Sequence, residues 1–270
     1  MKLYYLIGKD ISESLSPAIH NYIFKSQNIN AQYKAQSIGN IQEAEKFLLK
    51  TKHKEIHGLN ITNPYKIDII RFLPHLSKHA LKIGSVNCVA LNQNTKISGY
   101  NTDWYGFFQM INIHKINFQD KKIRIIGYGG AAMAVKYALD MIGVADIEIY
   151  TRSQNRCNNN KVYHNTYDIL QNDDKDNLAI INATPFNFIE NDDEFFGYFI
   201  SRKLIWIDLL YTKLSTEKKE KIGKNRYFNG LDMLIYQALA SIDIWFRKNL
   251  SKSVDLNDLK LHLRDMNYVK

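Results

Sequence analysis

Cysteine is nearly absent: the 270-residue chain holds two, Cys88 and Cys157. One pair cannot supply the several bridges that staple small secreted domains, so both read as reduced thiols in a cytoplasm. Long apolar runs are missing as well. No stretch reaches the ~18 apolar residues that a membrane-spanning helix needs, which excludes a membrane partner. The apolar start has no small-residue cleavage site and reads as a first strand, not a secretion signal. A basic stripe is the third absence. The net charge is +9, but the lysines are spread, with Lys121-Lys122 and Lys218-Lys219 the longest clusters. Nucleic acid is therefore not an expected partner, whereas a surface that favours anionic small molecules is. Gly-x-Ser-x-Gly, P-loop and Cys–His arrangements are also lacking. His75 and His79 have the spacing of helical metal ligands, but no third ligand lies nearby and Pro74 precedes them, so no metal is expected.

What is present is an ordinary globular composition, 45% apolar and 23% charged. The length is generous for one core and comfortable for two domains. Residues 2–7 read as a strand. Ser16-Pro17 then reads as a hydroxyl N-cap with proline opening a helix. Ser14 and Ser16 sit where helix-terminal N–H groups could hold a carboxylate. Local sequence favours simple capping by Ser16 and a solvated Ser14. A strand near 33–38 and a helix over 41–49 follow.

The stretch His57-Gly58-Leu59-Asn60-Ile61-Thr62-Asn63-Pro64-Tyr65-Lys66 gathers polar groups, a proline and a lysine between apolar segments. A buried strand over 56–61 is expected, then a helix from Pro64 through Leu73. Lys66 would lie in its first turn, where the helix dipole disfavours positive charge and eases loss of a proton. A surface lysine and a catalytic one are equally consistent with that placement. Asn87 interrupts the apolar strand 86–91, so its amide must find partners, structural or ligand. Asp103 follows the strand 97–100 at the start of an aromatic-faced helix, as a cap or as a charged site residue.

The middle of the chain reads as strand, glycine loop and helix: residues 122–126, then Gly127-Tyr128-Gly129-Gly130-Ala131-Ala132, then a helix over 133–142. This is the order of the dinucleotide fingerprint, with Gly127 for the turn, Gly129 for close approach of pyrophosphate and Ala132 at the third position. The next strand, 147–150, ends in Thr151-Arg152-Ser153-Gln154-Asn155-Arg156. No carboxylate closes it to bind a ribose 2′-OH, and two arginines with a hydroxyl suit a 2′-phosphate, so NADP is expected over NAD. Further strands end at Ala183-Thr184-Pro185 and near Tyr211. Ligands lie beyond such carboxyl ends, which makes Thr184 and the turn 208–211 candidate walls around a nicotinamide. Gly230-Leu231-Asp232 precedes a helix over 233–247, with Gln237 on its apolar face as a core amide or a pocket residue. An amphipathic segment, 256–266, ends the pattern.

Together these motifs resemble the shikimate dehydrogenases over essentially the whole chain. Ser14-Leu15-Ser16-Pro17 is similar to the family's S-x-S-P loop, and Asn60-Ile61-Thr62-Asn63-Pro64-Tyr65-Lys66 to N-V-T-x-P-x-K. Ser85-Val86-Asn87, Asn101-Thr102-Asp103, Gly127 to Ala131, Asn182-Ala183-Thr184 and the segment from Gly230 to Gln237 match further motifs in the same order. The resemblance implies an α/β fold of two domains. Residues 1–103 with 230–270 would form the substrate domain, and 104–229 a Rossmann-type NADP domain. It implies reversible NADP-dependent reduction of 3-dehydroshikimate to shikimate, in the pathway to chorismate and the aromatic amino acids. Lys66 and Asp103 would be catalytic. Ser14, Ser16, Asn60, Thr62, Asn87, Tyr211 and Gln237 would touch substrate. Gly127, Gly129, Gly130, Ala131, Thr151, Arg152, Ser153, Arg156, Thr184, Leu209, Gly230 and Met233 would hold the cofactor. A monomer or homodimer is expected. Departures from the family pattern are Thr151 for asparagine, Cys88 for threonine, Asn63 and Tyr65 beside the lysine, and Asp232 where a small residue is frequent. An NAD-using quinate/shikimate dehydrogenase and a non-catalytic ligand sensor of the same fold are the rival expectations.

Overall fold

A computed structural model describes residues 1–92, 94, 96–152, 162–163, 165–171, 178–202, 204–211, 214–222 and 226–265. The chain divides into two compact units, Met1–Phe107 with the segment from Leu234 onward, and Phe108–Met233. Among the described residues no helix is long and apolar enough to cross a membrane.

The first unit is built on a six-stranded mixed sheet ordered β2-β1-β3-β5-β6-β4. Its strands are β1 (Lys2–Gly8), β2 (Ala31–Ser37), β3 (Gly58–Ile61), β4 (His75–Leu76), β5 (Cys88–Leu91) and β6 (Ile97–Tyr100). β1 runs parallel to β2 and β3, while β5 is antiparallel to both β3 and β6. The β3–β5 pairing sets Asn60 opposite Cys88, one residue past Asn87. Two residues far apart in sequence are thereby neighbours at one sheet end. Helices α1 (Ser16–Ser26), α2 (Ile41–Lys52) and α3 (Lys78–Ile83) flank the sheet, and α2 covers a core that includes Ile7, Leu59, Ile61, Val86 and Val89.

The second unit carries a wholly parallel sheet ordered β12-β11-β10-β7-β8-β9. Its strands are β7 (Lys122–Ile126), β8 (Ile147–Tyr150), β9 (Val162–Tyr163), β10 (Leu178–Asn182), β11 (Ile205–Asp208) and β12 (Tyr227–Asn229). The strand order runs outward from β7 in one direction, then outward from β10 in the other. That is the doubly wound arrangement, with its switch point between β7 and β10. Such strands are buried on both faces and read as continuous apolar runs, as Lys122-Ile123-Arg124-Ile125-Ile126 and Leu178-Ala179-Ile180-Ile181-Asn182 do. Arg124 is the exception. It is fully buried and is neutralised by Glu148 on β8, 3.1 Å from its Nε.

The remaining helices are α4 (Asp103–Ile113), α5 (Gly130–Met141), α6 (Asp168–Gln171), α7 (Phe188–Asn191), α8 (Asp193–Ser201), α9 (Thr216–Ile222), α10 (Leu231–Phe246) and α11 (Leu256–Asp265). The later part of α10 docks on the first sheet through Trp245. Its ring lies 4.7 Å from that of Tyr4, and its Nε1 donates to the Val89 carbonyl at 3.1 Å.

Two local expectations are corrected. Ser16 does not cap α1: the N-cap is Leu15, and the Ser14 hydroxyl accepts the Ser16 N–H at 3.3 Å. The helix expected from Pro64 is not formed; residues 63–67 make turns and Asp68–Phe72 a short 3-10 helix. The Lys66 carbonyl accepts from Val86 N at 2.8 Å, so it is engaged across the fold instead of along a helix. His75 and His79 lie on different elements, β4 and α3, and no metal-holding group of side chains occurs among the described residues.

Candidate active site

With no helix beneath it, Lys66 faces a carboxylate. Its Nζ lies 2.7 Å from Asp103 Oδ2, with side-chain exposures of 16% and 6%. Asp103 is the first residue of α4, and its backbone N–H is capped by Asn101 Oδ1 at 3.0 Å. Asn101 is itself held by two bonds from its Nδ2, to the Ser85 carbonyl and hydroxyl. Capping thus falls to Asn101, which frees the Asp103 carboxylate for Lys66.

The second oxygen of Asp103 accepts from Asn87 Nδ2 at 2.8 Å. Asn87 Oδ1 accepts the Thr102 N–H at 2.7 Å, which fixes the orientation of the amide. Its two Nδ2 hydrogens face three acceptors: Asp103, Thr102 Oγ1 at 2.9 Å and Gln237 Oε1 at 3.2 Å. Asn87 and Gln237 are buried, and an amide so committed mainly braces its neighbours. Gln237 reaches this cluster from α10, its Nε2 donating to the Leu234 carbonyl.

Asn60 stands differently from the expectation of a substrate contact. Both Nδ2 hydrogens are spent inside the protein, on the Asn87 carbonyl and on Ser241 Oγ, each at 3.0 Å. Its Oδ1 accepts from the Tyr33 hydroxyl at 2.9 Å. Only a lone pair on Oδ1 remains for a ligand, so Asn60 acts as a brace at the end of β3. Tyr33, Thr102 and Ser241 are the residues that sequence reading missed here. Ser241 could have been found, since it lies four residues beyond Gln237 on the same helical face. Ser14 and Ser16 sit together at the start of α1, and Thr62 is half-buried just past β3, its N–H given to Ile7.

In the second unit, Gly127 closes β7 with a φ of +107°, a conformation that a side chain would strain. It lies at the switch point, where a Cβ would stand 3.1 Å from the Ala183 carbonyl oxygen. Gly129, Gly130 and Ala131 carry the chain into α5. Gly129 is the N-cap of that helix and has no side chain to fill the space before it; a Cβ there would meet nothing within 4 Å. A helix opened by glycine with space in front of it leaves room for a pyrophosphate, so this loop fits a dinucleotide. Thr151 is buried at the end of β8 and gives its N–H to Tyr163, while Arg152 is exposed beside it. The one acid of this strand, Glu148, is buried and committed to Arg124 and the Tyr150 hydroxyl, which leaves it unable to serve a ribose. Ser153 and Arg156 lie outside the described residues.

Thr184 follows β10, Leu209 and Tyr211 follow β11, and Gly230 follows β12. Gly230 must be glycine: a Cβ there would stand 2.1 Å from the Leu209 carbonyl oxygen. Met233 is buried in the first turn of α10.

The family model described as the shikimate dehydrogenase substrate binding domain matches residues 6–89. The NADP(+) shikimate dehydrogenase of Clostridium beijerinckii is 35% identical over 259 residues, which are 91% of this chain and 92% of that protein. This chain belongs to the shikimate dehydrogenase family. Among solved shikimate dehydrogenases, enzyme 1 of Peptoclostridium difficile superposes with a TM-score of 0.81 at 29% identity, covering all of both chains. The Listeria monocytogenes enzyme, solved with shikimate and NAD, gives a TM-score of 0.75 at 25% identity over 97% of this chain and 96% of that one. Shikimate dehydrogenases of this kind have two-domain, Rossmann-type architecture, and the strand order of the second unit here is of that type.

Proposed function

We propose that this chain is an NADP-dependent shikimate dehydrogenase that reversibly reduces 3-dehydroshikimate to shikimate. The observation that carries the reading is the Lys66–Asp103 pair at 2.7 Å, braced on its far side by Asn87. Residues 1–103 with 230–270 bind the substrate, and 104–229 bind the nucleotide. Gly127, Gly129, Gly130, Ala131 and the start of α5 take the pyrophosphate, and Arg152 with Ser153 and Arg156 the 2′-phosphate. Thr184, Leu209, Gly230 and Met233 bound the nicotinamide end. NADPH, when bound, supplies the hydride that reduces the substrate carbonyl.

The chain's own residues manage charge and orientation. Lys66 donates a hydrogen bond to the carbonyl oxygen and, as negative charge develops there, gives that oxygen its proton. Asp103, its second oxygen fixed by Asn87, keeps the lysine aimed while the proton leaves. In the oxidative direction neutral Lys66 takes the proton from the hydroxyl. Ser14 and Ser16 hold the substrate carboxylate beside the amino end of α1. Thr62, Tyr211 and Gln237 contact the ring substituents, and Asn87 contributes through Asp103. The enzyme works in the cytoplasm, as a monomer or homodimer, and light scattering on the purified protein decides between those states.

The deciding experiment follows NADPH absorbance with 3-dehydroshikimate, and the reverse reaction with shikimate or quinate, each with NADP and NAD. Turnover with shikimate and NADP far above every other pairing is expected. Preference for NAD or quinate replaces the assignment with a quinate/shikimate dehydrogenase, and no turnover with any pairing removes it.

A further inference from the structure

Asn182 belongs to a motif noted in the sequence, yet neither cofactor nor substrate binding has so far used it. It closes β10 and is fully buried, as is Asp208, which closes the adjacent β11. The two side chains meet: Asn182 Nδ2 lies 3.2 Å from Asp208 Oδ1 and 3.3 Å from Oδ2. Its other hydrogen goes to the Phe186 carbonyl at 2.7 Å. Asn182 Oδ1 accepts twice from Thr184, from the N–H at 3.0 Å and from the hydroxyl at 2.8 Å. Asp208 Oδ1 accepts the Leu210 N–H at 2.9 Å. The backbones repeat the connection, Leu209 N donating to the Asn182 carbonyl at 2.9 Å. Every hydrogen and lone pair of the Asn182 amide is therefore committed, each bond ending on Asp208 or on the turn after β10.

We propose that Asn182 and Asp208 are positioning residues for the nucleotide, a buried pair that sets the turns after β10 and β11 so that Thr184 and Leu209 can bound it. The proposal rests on the dehydrogenase reading above. Three features support it. The pair sits next to the switch point, where Gly127 packs on Ala183. It lies at the carboxyl ends of the strands, where ligands of such sheets bind. Burial also pushes the Asp208 carboxyl up to about 7, a cost that an apolar core residue would avoid. Gly230, whose N–H donates to the Leu210 carbonyl at 2.9 Å, hangs from the same turn.

The test is Asp208→Asn, which keeps the shape and turns one accepting oxygen into a donor facing Asn182 or Leu210. NADPH affinity, read by fluorescence titration without substrate, is expected to weaken about tenfold, the scale of one lost charge-assisted hydrogen bond. Shikimate affinity of the nucleotide-free protein, read by calorimetry, is expected to weaken by less than about threefold, because Tyr211 is its one contact on these turns and Ser14, Ser16, Thr62 and Gln237 lie on other elements. Asn182→Ser should shift NADPH affinity in the same direction. The double variant should lose no more than the worse single, since both remove one shared interaction. Unchanged NADPH affinity in a folded Asp208→Asn protein overturns the proposal, as does equal weakening for both ligands. If Asp208→Asn does not fold, Asn182→Ser carries the test; failure of both to fold assigns the pair to the core and overturns it. Wild-type protein that does not bind NADPH removes both readings, whereas wild-type binding with unaffected variants removes only this one.

Discussion

Asp103 has each carboxylate oxygen engaged by a different donor, Lys66 on one and Asn87 on the other. A carboxylate held at both ends cannot swing, so the lysine paired with it has a fixed direction. Removing the ammonium takes away the proton donor and leaves Asp103 with its amide partner alone. In Lys66→Ala, kcat is expected to fall by about 10²–10⁴, the usual contribution of a positioned acid–base group. Shikimate affinity should weaken by less than about tenfold, because the serines and the half-buried Thr62 remain. Steady-state kinetics paired with calorimetric binding separates the two effects, and near-normal turnover would remove Lys66 from the chemistry. The same donor arithmetic demotes Asn60. A carboxamide whose two hydrogens are spent at 3.0 Å on protein oxygens can shape a pocket but has no donor left for its contents.

At the scale of elements, the start of α4 decides where the site stands. Asn101 Oδ1 accepts from Asp103 N, and Asn101 Nδ2 fastens this cap to Ser85. Asn101→Ala should cost about 1 kcal/mol as a lost cap, seen as a lower Tm. It should also lower kcat while leaving NADPH affinity unchanged, because the displaced group is Asp103. A fall in Tm with kcat intact would show that the cap serves stability alone. This element was half legible in the sequence. A polar triplet before an aromatic-faced run announces a helix start, but which member caps depends on where Ser85 lies. The stretch after Pro64 was less legible still. Its residues have helical spacing, yet the Lys66 carbonyl is taken by Val86, and the Tyr65 hydroxyl reaches the Ile38 carbonyl at 3.0 Å. Those distant partners hold the segment in turns, and propensity within the segment does not record them. Regular strands such as Lys122–Ile126 and Leu178–Asn182 were legible to the residue, because a buried parallel strand is a short, mainly apolar run that ends where a glycine or a polar turn begins.

Over the whole molecule, two buried titratable groups pull stability in opposite directions as pH changes. His20 is fully buried, and among the described residues neither ring nitrogen has a partner. Its ring stacks 4.1 Å from that of Tyr33, and burial lowers its pKa to about 3. Below its ordinary value of 6.5 the unfolded chain takes up a proton that the folded chain refuses. The stability that neutral His20 allows is thus complete above that pH and is lost as pH falls towards 3. Asp208 has the reverse sign. Its carboxyl ionises near 3.8 when unfolded and near 7 when folded, so stability falls as pH rises through that interval. The two effects oppose each other over most of their range, and a difference measurement isolates one. Lowering pH from about 6.5 to about 5 should cost wild-type protein ~2 kcal/mol that His20→Phe does not lose. Thermal melts of both proteins across that range check it, and parallel curves would contradict it.

The sequence by itself determined the strand–glycine–helix unit, the order of the motifs, and the absence of a local acid to bind a ribose. Each depends on neighbours within a few residues, on the special conformation of a glycine, or on a run of residue types that one element requires. Only the tertiary structure decided which polar groups still have hydrogens to offer. Asn60 and Ser241 are 181 positions apart, Asn87 and Gln237 150, and Asn182 and Asp208 26. Strand register and helix docking bring these amides and hydroxyls to hydrogen-bonding distance. A buried group then gives its few hydrogens to whichever acceptors the fold has set beside it, and local sequence does not encode that choice.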